Sequence, residues 1–281
     1  MHVPKLLPPF ETLSGWIGIG VNNTDSESWS KIFKAFIDLK AQFPTISLAI
    51  YSKNKANFPK KTPLDVVLKV SDTPATVLLQ DLKLGTIQGV VRGSLPSSDF
   101  LQCLIKEFSV TSFCRIALLE SASGHSFWFA PVGIDEGNSY QARKQIIEES
   151  IILLEKCHLT PNIGVLSKGR VGDAKRGGFI MDSLASNQTL VEEIARKYPN
   201  ISIAHDEILL ENVVSQKRNF ILAPDGVSGN LIYRTLVHLG QGKAYGAIYC
   251  GIPFKNLKII DTSRVGNLEE IEGAMILALA M

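Results

Sequence analysis

Polar side chains and glycines follow apolar runs in three segments of this 281-residue sequence. In ILAPDGVSGNLIYRTLVHL, Asp225 comes directly after an apolar run and is followed by Ser228, Gly229 and Asn230. Glycines allow close backbone approach, and the N-terminus of a helix binds phosphate or carboxylate groups. The segment therefore predicts either an anion site, with Ser228 or Asn230 as the helix cap, or a well-capped turn with a structural aspartate.

The second segment, KIIDTSRVGNLEEIEG, contains Ser263 and Arg264 after an apolar run that ends at Asp261. An arginine at the end of a strand offers a planar fork that binds an anion through two hydrogen bonds. Asn267 is a suitable cap for the last helix, whose first turn contains Glu270. The alternative is a local ion pair of Arg264 with Asp261 or Glu270.

The third segment, VLSKGRVGDAKRGGF, is rich in glycine and in positive charge. Its polar side chains belong to Ser167, Lys168, Arg170, Asp173, Lys175 and Arg176. Four cations against one carboxylate suit a phosphate or a charged carrier, and a mobile surface loop is the alternative. A fourth segment, GVVRGSLPSSDFL, has Arg92 at the end of an apolar run, where it could supply a second anion contact.

Composition excludes several classes of function. The chain has 29 lysine and arginine residues against 27 aspartate and glutamate residues, a net charge of +2. Proteins that bind nucleic-acid backbones usually have a clear basic excess, so this role is disfavoured. The four cysteines lack CxxC spacing, which argues against zinc ribbons and redox pairs and predicts four buried thiols.

Motifs typical of several known enzyme classes are missing from the sequence, namely HExxH, GxxxxGK[ST], GxSxG and DxHxxG. Gly18 and Gly20 fall inside an apolar run, which makes GWIGIG a poor dinucleotide or S-adenosylmethionine loop. We predict no metal site and interpret His205 and Asp206 as a capping or surface pair. No apolar run is long enough to span a bilayer, and the first residues lack a signal-peptide pattern, so we expect a cytoplasmic protein.

These segments must be positioned by alternating strands and helices. Short apolar runs alternate with helical patterns nearly throughout, which predicts an α/β fold with mostly parallel strands covered on both faces. In such sheets ligands bind outside the carboxyl ends of the strands. Predicted elements include a hairpin around SASGH, a long helix over 139–157, and helices over 190–198 and 231–239. The segment GIDEGNS is the predicted hinge between domains.

The C-terminal segment resembles the end of the phosphate acetyl/butyryltransferases. Those enzymes have PD-x-x-x-GN-x-x-YK after an apolar strand and LSRG-x-x-x-x-D before the last helix. The matching residues are Pro224, Asp225, Gly229, Asn230, Tyr233, Ser263 and Arg264, and Glu270 stands where the family has aspartate. With the upstream segments GIDEGNS to VLSKGR, HDEILLENVV and GVVRGSLPSSDFL, the resemblance covers most of residues 85–281.

Within that superfamily the sequence resembles the methanogen group labelled methyltransferase-related protein MtxX, or methanogenesis marker protein 4. That group has a chain of this length, the PDGVSGN segment and a GR-x-GD-x-x-R loop, which here comprises residues 169–176. The resemblance implies a methanogenic archaeal source and a homodimer. It also implies a two-domain isocitrate/isopropylmalate dehydrogenase-like fold with a cleft, divided into residues 1–134 plus 254–281 and residues 135–253.

The resemblance further implies a transferase, like phosphotransacetylase, that binds a phosphate-bearing or acyl ligand in the cleft. Arg264 would hold the anion, Ser263 would donate to the developing oxyanion, and Glu270 would be the base. The implied ligand-binding residues are Asp225, Ser228, Gly229, Asn230, Arg92, Ser167, Lys168 and Arg170. No cofactor is required, and coenzyme A is an implied substrate.

Two alternatives stay open. The chain could be a methyltransferase or a methyltransferase-associated subunit, with a methyl carrier in the cleft or on a corrinoid or methyltransferase partner. It could also be a non-catalytic ligand-binding descendant of the fold.

Overall fold

A computed structural model describes residues 6–8, 10, 12–22, 26–55, 58, 62–263 and 266–281. The chain packs as two compact units. We call Cys114–Lys243, with the described residues of 1–8, the central unit, and the described residues of Pro9–Phe113 with those of Ala244–Met281 the terminal unit.

The described residues form eleven strands and eight α-helices in near alternation. The strands are β1 (Gly15–Gly20), β2 (Ile46–Ser52), β3 (Val66–Val70), β4 (Gly89–Val91), β5 (Cys114–Glu120), β6 (Ser126–Ala130), β7 (Asn162–Val165), β8 (Ser202–His205), β9 (Phe220–Leu222), β10 (Lys243–Cys250) and β11 (Ile259–Asp261). The helices are α1 (Ser26–Gln42), α2 (Pro74–Lys83), α3 (Ser97–Phe108), α4 (Tyr140–Lys156), α5 (Gly178–Lys197), α6 (Leu210–Ser215), α7 (Gly226–Arg234) and α8 (Leu268–Ala280).

In the terminal unit six strands pair in the order β3-β2-β1-β4-β11-β10. All of these pairs are parallel except that of β10 with β11. The strands are apolar runs because a parallel sheet is covered by helices on both faces. Ile17, Ile19, Leu48 and Ile50 are accordingly almost fully buried. The mostly parallel α/β class predicted from the sequence is confirmed.

Helix α8 packs directly on β4, and its composition reflects this position. Ten of its thirteen residues are buried, as expected for a helix that is apolar on nearly all sides. Gly89 in β4 lies so close to α8 that a Cβ built on it would overlap the carbonyl oxygen of Ala278. A side chain at this position would therefore push the helix away from the sheet.

In the central unit five strands pair in the order β5-β6-β9-β7-β8. The predicted hairpin around SASGH is the antiparallel pair of β5 and β6, and the other pairs are parallel. Helix α4 begins after Ser139, whose side chain accepts a hydrogen bond from the amide of Ala142. Its apolar stripe is buried as predicted, and includes Ile147 and Leu154.

Three helices of the central unit differ from the prediction. Helix α5 begins at Gly178 rather than at 190, because Ile180 and Leu184 continue its buried face at helical spacing. Helix α7 begins at Gly226 rather than at 231. The short helix α6, inside HDEILLENVV, was not predicted at all.

The two units divide the chain at 113/114 and at 243/244. The division inferred from the resemblance, into 1–134 plus 254–281 and 135–253, stays a prediction. The segment 133–139, predicted as a hinge, lies inside the central unit. There Glu136 is buried, and its Oε1 accepts a hydrogen bond from Arg115 Nε at 2.6 Å.

Cys114, Cys157 and Cys250 are buried free thiols, whereas Cys103 is partly exposed, so the prediction of four buried thiols is wrong at one position. Burial raises the pKa of the Cys157 thiol to about 12.

Across the described ranges, no helix has the length and apolar composition needed to cross a membrane.

Replacing Gly89 by alanine should lower the free energy of unfolding by about 1–3 kcal/mol, because the added methyl group overpacks the β4–α8 contact. Gly172→Ala is the matched control, since a Cβ there would meet no atom within 4 Å. Chemical denaturation of both variants measures the difference. Equal stability of the two variants would contradict the proposed contact.

Candidate functional site

The predicted anion-binding segments of the central unit meet at the carboxyl ends of β7 and β9. These strands are parallel neighbours, with Val165 opposite Leu222. The residues that follow them therefore leave the sheet side by side. Lys168 Nζ lies 2.9 Å from Asp225 Oδ2. We call Ser167, Lys168, His205 and Asp225 the central tip cluster.

Ser167 is the fully buried anchor of this cluster. Its Oγ lies 2.6 Å from His205 Nε2, at the end of the neighbouring strand β8. Asn187 Nδ2, from α5, donates to Ser167 Oγ at 3.0 Å and to the carbonyl of Leu166 at 2.9 Å. Because buried polar groups in such a network have few alternative partners, the network holds the start of the loop in one conformation.

His205 fits this network as a neutral imidazole. Burial lowers its pKa, and the nearby carboxylates of Glu207 and Asp206 only partly offset that effect. The interpretation of His205 and Asp206 as a capping or surface pair is wrong. The Asp206 side chain is 7% exposed, with Oδ2 3.5 Å from Arg218 Nε, and desolvation by burial raises the pKa of its carboxyl.

Asp225 caps α7 with its own side chain. Its Oδ1 accepts a hydrogen bond from the Ser228 amide at 2.8 Å, so the expectation that Ser228 or Asn230 caps this helix is wrong. Burial would raise the pKa of the Asp225 carboxyl, but the Ser228 amide and the Lys168 ammonium outweigh burial and lower it. The carboxylate is thus ionised and occupies the positive end of the helix.

The glycines of PDGVSGN serve contacts within the chain. A Cβ on Gly226 would overlap the carbonyl oxygen of Gly133, and a Cβ on Gly229 would overlap that of Pro131. Asn230 Nδ2 donates to the carbonyl of Val132 at 2.9 Å. The close backbone approach predicted for these glycines is therefore that of the segment 131–133 against α7.

The basic loop after Lys168 is largely compensated internally. Asp173, in a 3-10 turn over Val171–Arg176, lies 3.1 Å from Arg170 Nε and 3.0 Å from Arg176 Nη1. Hydrogen bonds from Arg170 lower the pKa of the Asp173 carboxyl. Among the described residues, Lys175 has no ion-pair partner. The GR-x-GD-x-x-R pattern thus builds a turn around one carboxylate.

Arg92, in the terminal unit, is buried and differs from its predicted role as an anion contact. Its Nε donates to Asp261 Oδ1, Nη1 donates to the carbonyl of Leu95, and Nη2 donates to the carbonyl of Thr262. The side chain is 5% exposed. Because all three nitrogens bind protein oxygens, Arg92 ties the end of β4 to the end of β11.

Ser263 and Glu270, predicted as catalytic residues, lie next to each other. The Ser263 amide donates to Glu270 Oε1 at 2.5 Å, and the Glu270 amide donates to Asn267 Oδ1 at 2.9 Å. Asn267 is therefore the helix cap, as predicted. Glu270 is buried. Arg264, the predicted anion-binding residue, lies outside the described residues.

Sequence reasoning missed three residues of the central unit. His205 and Asn187 contact Ser167, as described above, and Arg143 Nε of α4 donates to Asn187 Oδ1 at 3.1 Å. Burial lowers the pKa of Arg143, although the Asp225 carboxylate nearby acts in the opposite direction. Asn187 is a polar residue on the apolar side of α5, and this was the sequence signal that could have revealed the network.

In the part of the chain that is described, no group of three or more His, Cys, Asp or Glu residues could hold a metal ion.

Solved structures share this fold at low sequence identity. A branched-chain phosphotransacylase from Enterococcus faecalis aligns with a TM-score of 0.69 and 17% identity, over 93% of this chain and 98% of that chain. A 4-hydroxythreonine-4-phosphate dehydrogenase from Klebsiella pneumoniae aligns with a TM-score of 0.60 and 9% identity, over 94% and 98%. The phosphotransacetylase-like fold implied by the sequence resemblance is confirmed.

No protein-family model matches the sequence. A protein of Methanosarcina mazei named "Putative methyltransferase mtx subunit X" is 37% identical over 216 residues, which span 76% of this chain and 74% of that protein. A protein of the same name in Methanosarcina barkeri is 34% identical over 220 residues, 78% of each chain. Because these identities extend over about three quarters of the sequences, the chain belongs to the mtx subunit X family.

Proposed function

We propose that this protein is a transferase that binds a phosphate-bearing or acyl ligand through the central tip cluster. The observation that carries the proposal is the Lys168–Asp225 ion pair at the ends of two neighbouring parallel strands. This is the edge of an α/β sheet at which ligands bind. The phosphotransacylase name of a structural neighbour supports the same class of reaction.

Lys168 is suited to exchange its partner for a ligand oxygen. Its side chain is 41% exposed, whereas the Asp225 side chain is 18% exposed. When the ammonium turns to a ligand, Asp225 keeps the hydrogen bond from the Ser228 amide. Oδ1 of Asp225 therefore keeps its hydrogen bond when Lys168 moves, and Oδ2, which loses the ammonium, belongs to a partly exposed side chain that water can reach.

The backbone of Lys168 is held while its side chain stays free to move. Its amide donates to Ser183 Oγ at 3.1 Å, and the preceding Ser167 is locked by Asn187 and His205. Ligand-binding groups are most effective when their supports are rigid. We assign Ser167, His205 and Asn187 to this positioning role, and Lys168 and Arg170 to ligand contact.

Ser263, Arg264 and Glu270 are the proposed catalytic residues. In acyl transfer from a phosphate to a thiol such as coenzyme A, a carbon–sulfur bond forms, the carbon–oxygen bond to phosphate breaks, and the thiol proton passes to a base. Glu270 would take the proton, Arg264 would bind the phosphate, and Ser263 would donate to the oxyanion. The hydrogen bond between the Ser263 amide and Glu270 supports their joint action.

Methyl transfer is the second candidate function, and it is favoured by the name of the relatives. That name describes a subunit, so a methyl carrier or a partner protein would supply the methyl group. A ligand that binds without turnover would favour the third hypothesis, a non-catalytic descendant of the fold. Binding measurements with phosphate and coenzyme A, compared with binding measurements with methyl donors, distinguish the first two candidate functions.

Lys168→Met should weaken the binding of acetyl phosphate about tenfold or more, because a hydrogen bond to a charged group contributes about 1.5–3 kcal/mol. Lys175→Met removes the same charge from the same loop and should bind as the wild type does. Isothermal titration calorimetry of both variants makes the comparison. If both variants lose affinity equally, the loop acts only through its net charge, and the proposed contact between Lys168 and the ligand is wrong.

Arg264→Ala should abolish acyl transfer from acetyl phosphate to coenzyme A, since losing a two-point charged contact costs about 2–5 kcal/mol. Arg264→Lys keeps the charge without the fork and should retain part of the binding but little of the turnover. Thioester formation and calorimetry measure the two quantities. Unchanged turnover in Arg264→Ala would remove this residue from the site.

Acidification should destabilise the protein through His205. Its pKa in the folded state is below the ordinary value of 6.5. As pH falls through about 6.5, the unfolded chain takes up a proton that the folded protein resists, so the free energy of unfolding decreases. His205→Gln should flatten this part of the thermal-stability profile, and the exposed His158, replaced by asparagine, is the control. Parallel profiles for wild type and His205→Gln would show that His205 contributes nothing.

A further inference from the structure

A cavity lies within the terminal unit, and none of the residues assigned above lines it. Its volume is about 220 Å³. Its described lining comes from the segments that follow β1, β2 and β3 and from the start of α2 and of α3, as the positions of Asn22, Lys53, Asp72, Thr76 and Asp99 show. The cavity therefore opens at the carboxyl-terminal edge of the sheet.

The strand order places this cavity at a topological switch point. The chain runs from β1 outward to β2 and β3 on one side, and β4 lies on the other side of β1. In open α/β sheets, the crevice at such a reversal is where ligands bind. Val21 after β1 and Leu95 after β4 both line the cavity, so it includes this crevice.

The walls are largely apolar, and charged groups stand at the opening. Val21, Ala75, Leu95 and the rings of Pro74 and Pro96 line the cavity. Apolar walls of this kind accept a flat ring and exclude water from its faces. The volume lies somewhat below the roughly 300–1,000 Å³ of pockets for drug-sized ligands. A nucleoside with one acidic group suits it better than a whole dinucleotide.

Two opposite charges, Lys53 and Asp72, line this cavity. Among the described residues, neither Lys53 nor Asp72 makes an ion pair or a side-chain hydrogen bond, although both line the same cavity. Asp99 is the other carboxylate of the lining. A ligand that offers hydrogen-bond donors at one end and an anionic group at the other would satisfy both Asp72 and Lys53.

The two helices that open on this cavity also lack side-chain caps. Helix α2 follows Thr73 and helix α3 follows Pro96, and neither residue caps with its side chain. By contrast, α4, α7 and α8 are capped by Ser139, Asp225 and Asn267. The amides of a helix N-terminus favour an acidic group nearby. Pro74 contributes no amide at the start of α2, and Asp99 already places a carboxylate in the first turn of α3, so Lys53 is the main attraction for an acidic group.

We propose that this cavity binds an adenosine-type nucleoside that carries an acidic group. The base lies between the apolar walls, amino or hydroxyl groups donate to Asp72, and the acidic group pairs with Lys53. Adenosine monophosphate, the nucleotide part of coenzyme A and S-adenosylmethionine share this chemistry. The proposal is independent of the central tip cluster, because it uses different residues in the other unit.

Binding is tested on the full chain by calorimetry with adenosine monophosphate, acetyl-coenzyme A and S-adenosylmethionine in separate titrations. Lys53→Met should weaken binding at least tenfold, and Asp72→Asn should weaken it several-fold. Lys106→Met is the matched control, because Lys106 is an exposed lysine in the last turn of α3 and does not line the cavity. Lys53 is exposed, so its replacement leaves the fold intact.

Cys103 gives an independent test of location. It lines the cavity, and its Sγ lies 3.4 Å from Thr76 Oγ1. Saturating ligand should slow alkylation of Cys103 by N-ethylmaleimide about fivefold or more, as followed by mass spectrometry, and Lys53→Met should remove this protection.

The three ligands identify the source of the nucleoside. Binding of S-adenosylmethionine alone would assign the cavity to a methyl donor, and binding of acetyl-coenzyme A alone would assign it to an acyl carrier. The proposal is overturned if none of the three ligands binds at millimolar concentration, or if Lys53→Met binds them as Lys106→Met does. Acetyl phosphate has no nucleoside, so its binding tests the central tip cluster alone, and this proposal and the proposed function fail separately.

Discussion

Parallel pairing of β7 with β9 is the constraint on which the candidate site depends. Parallel neighbours end at the same edge of a sheet, so the loops that follow them meet although their residues are far apart in the chain. Lys168 and Asp225 are brought within 2.9 Å in this way. Helix α7 can begin immediately after Asp225 because Gly226 and Gly229 let it lie against the segment 131–133. The position of the carboxylate thus follows from backbone packing.

Most charges at these strand ends are compensated by the protein itself. Asp173 faces two arginines, Asp225 faces Lys168, and Arg92 is enclosed by Asp261 and backbone carbonyls. Removing a buried arginine from such partners would leave uncompensated groups, so Arg92 is suited to hold two strand ends together. A more exposed cation can change partners at lower cost, and this distinguishes Lys168 from Arg92. By the same reasoning, Lys53, an exposed lysine that forms no ion pair with any described residue, is accessible to a ligand.

The predictable part of the fold was the part governed by local pattern. Alternating apolar runs and helical patterns predicted the mostly parallel α/β class, and α4, at Tyr140–Lys156, lies within the predicted range of 139–157. The start of α5 was missed because Gly177 and Gly178 are typical of a loop, and α6 was missed because its six residues are too few to show a helical period. The start of α7 was missed for a related reason. Gly226 and Gly229 are weak helix formers, yet close packing requires them.

The sequence by itself determined the α/β class, the order of the elements, and which loops carry polar groups at strand ends. These properties depend on residue type and on spacing over a few residues. Only the tertiary structure decided which of those groups meet. Ser167 and His205 are 38 residues apart, and Arg92 and Asp261 are 169 apart. Such contacts depend on strand order and on burial, and neither is encoded in a local pattern. For that reason the sequence could nominate Arg92 and Lys168 alike, whereas packing enclosed the first and left the second accessible.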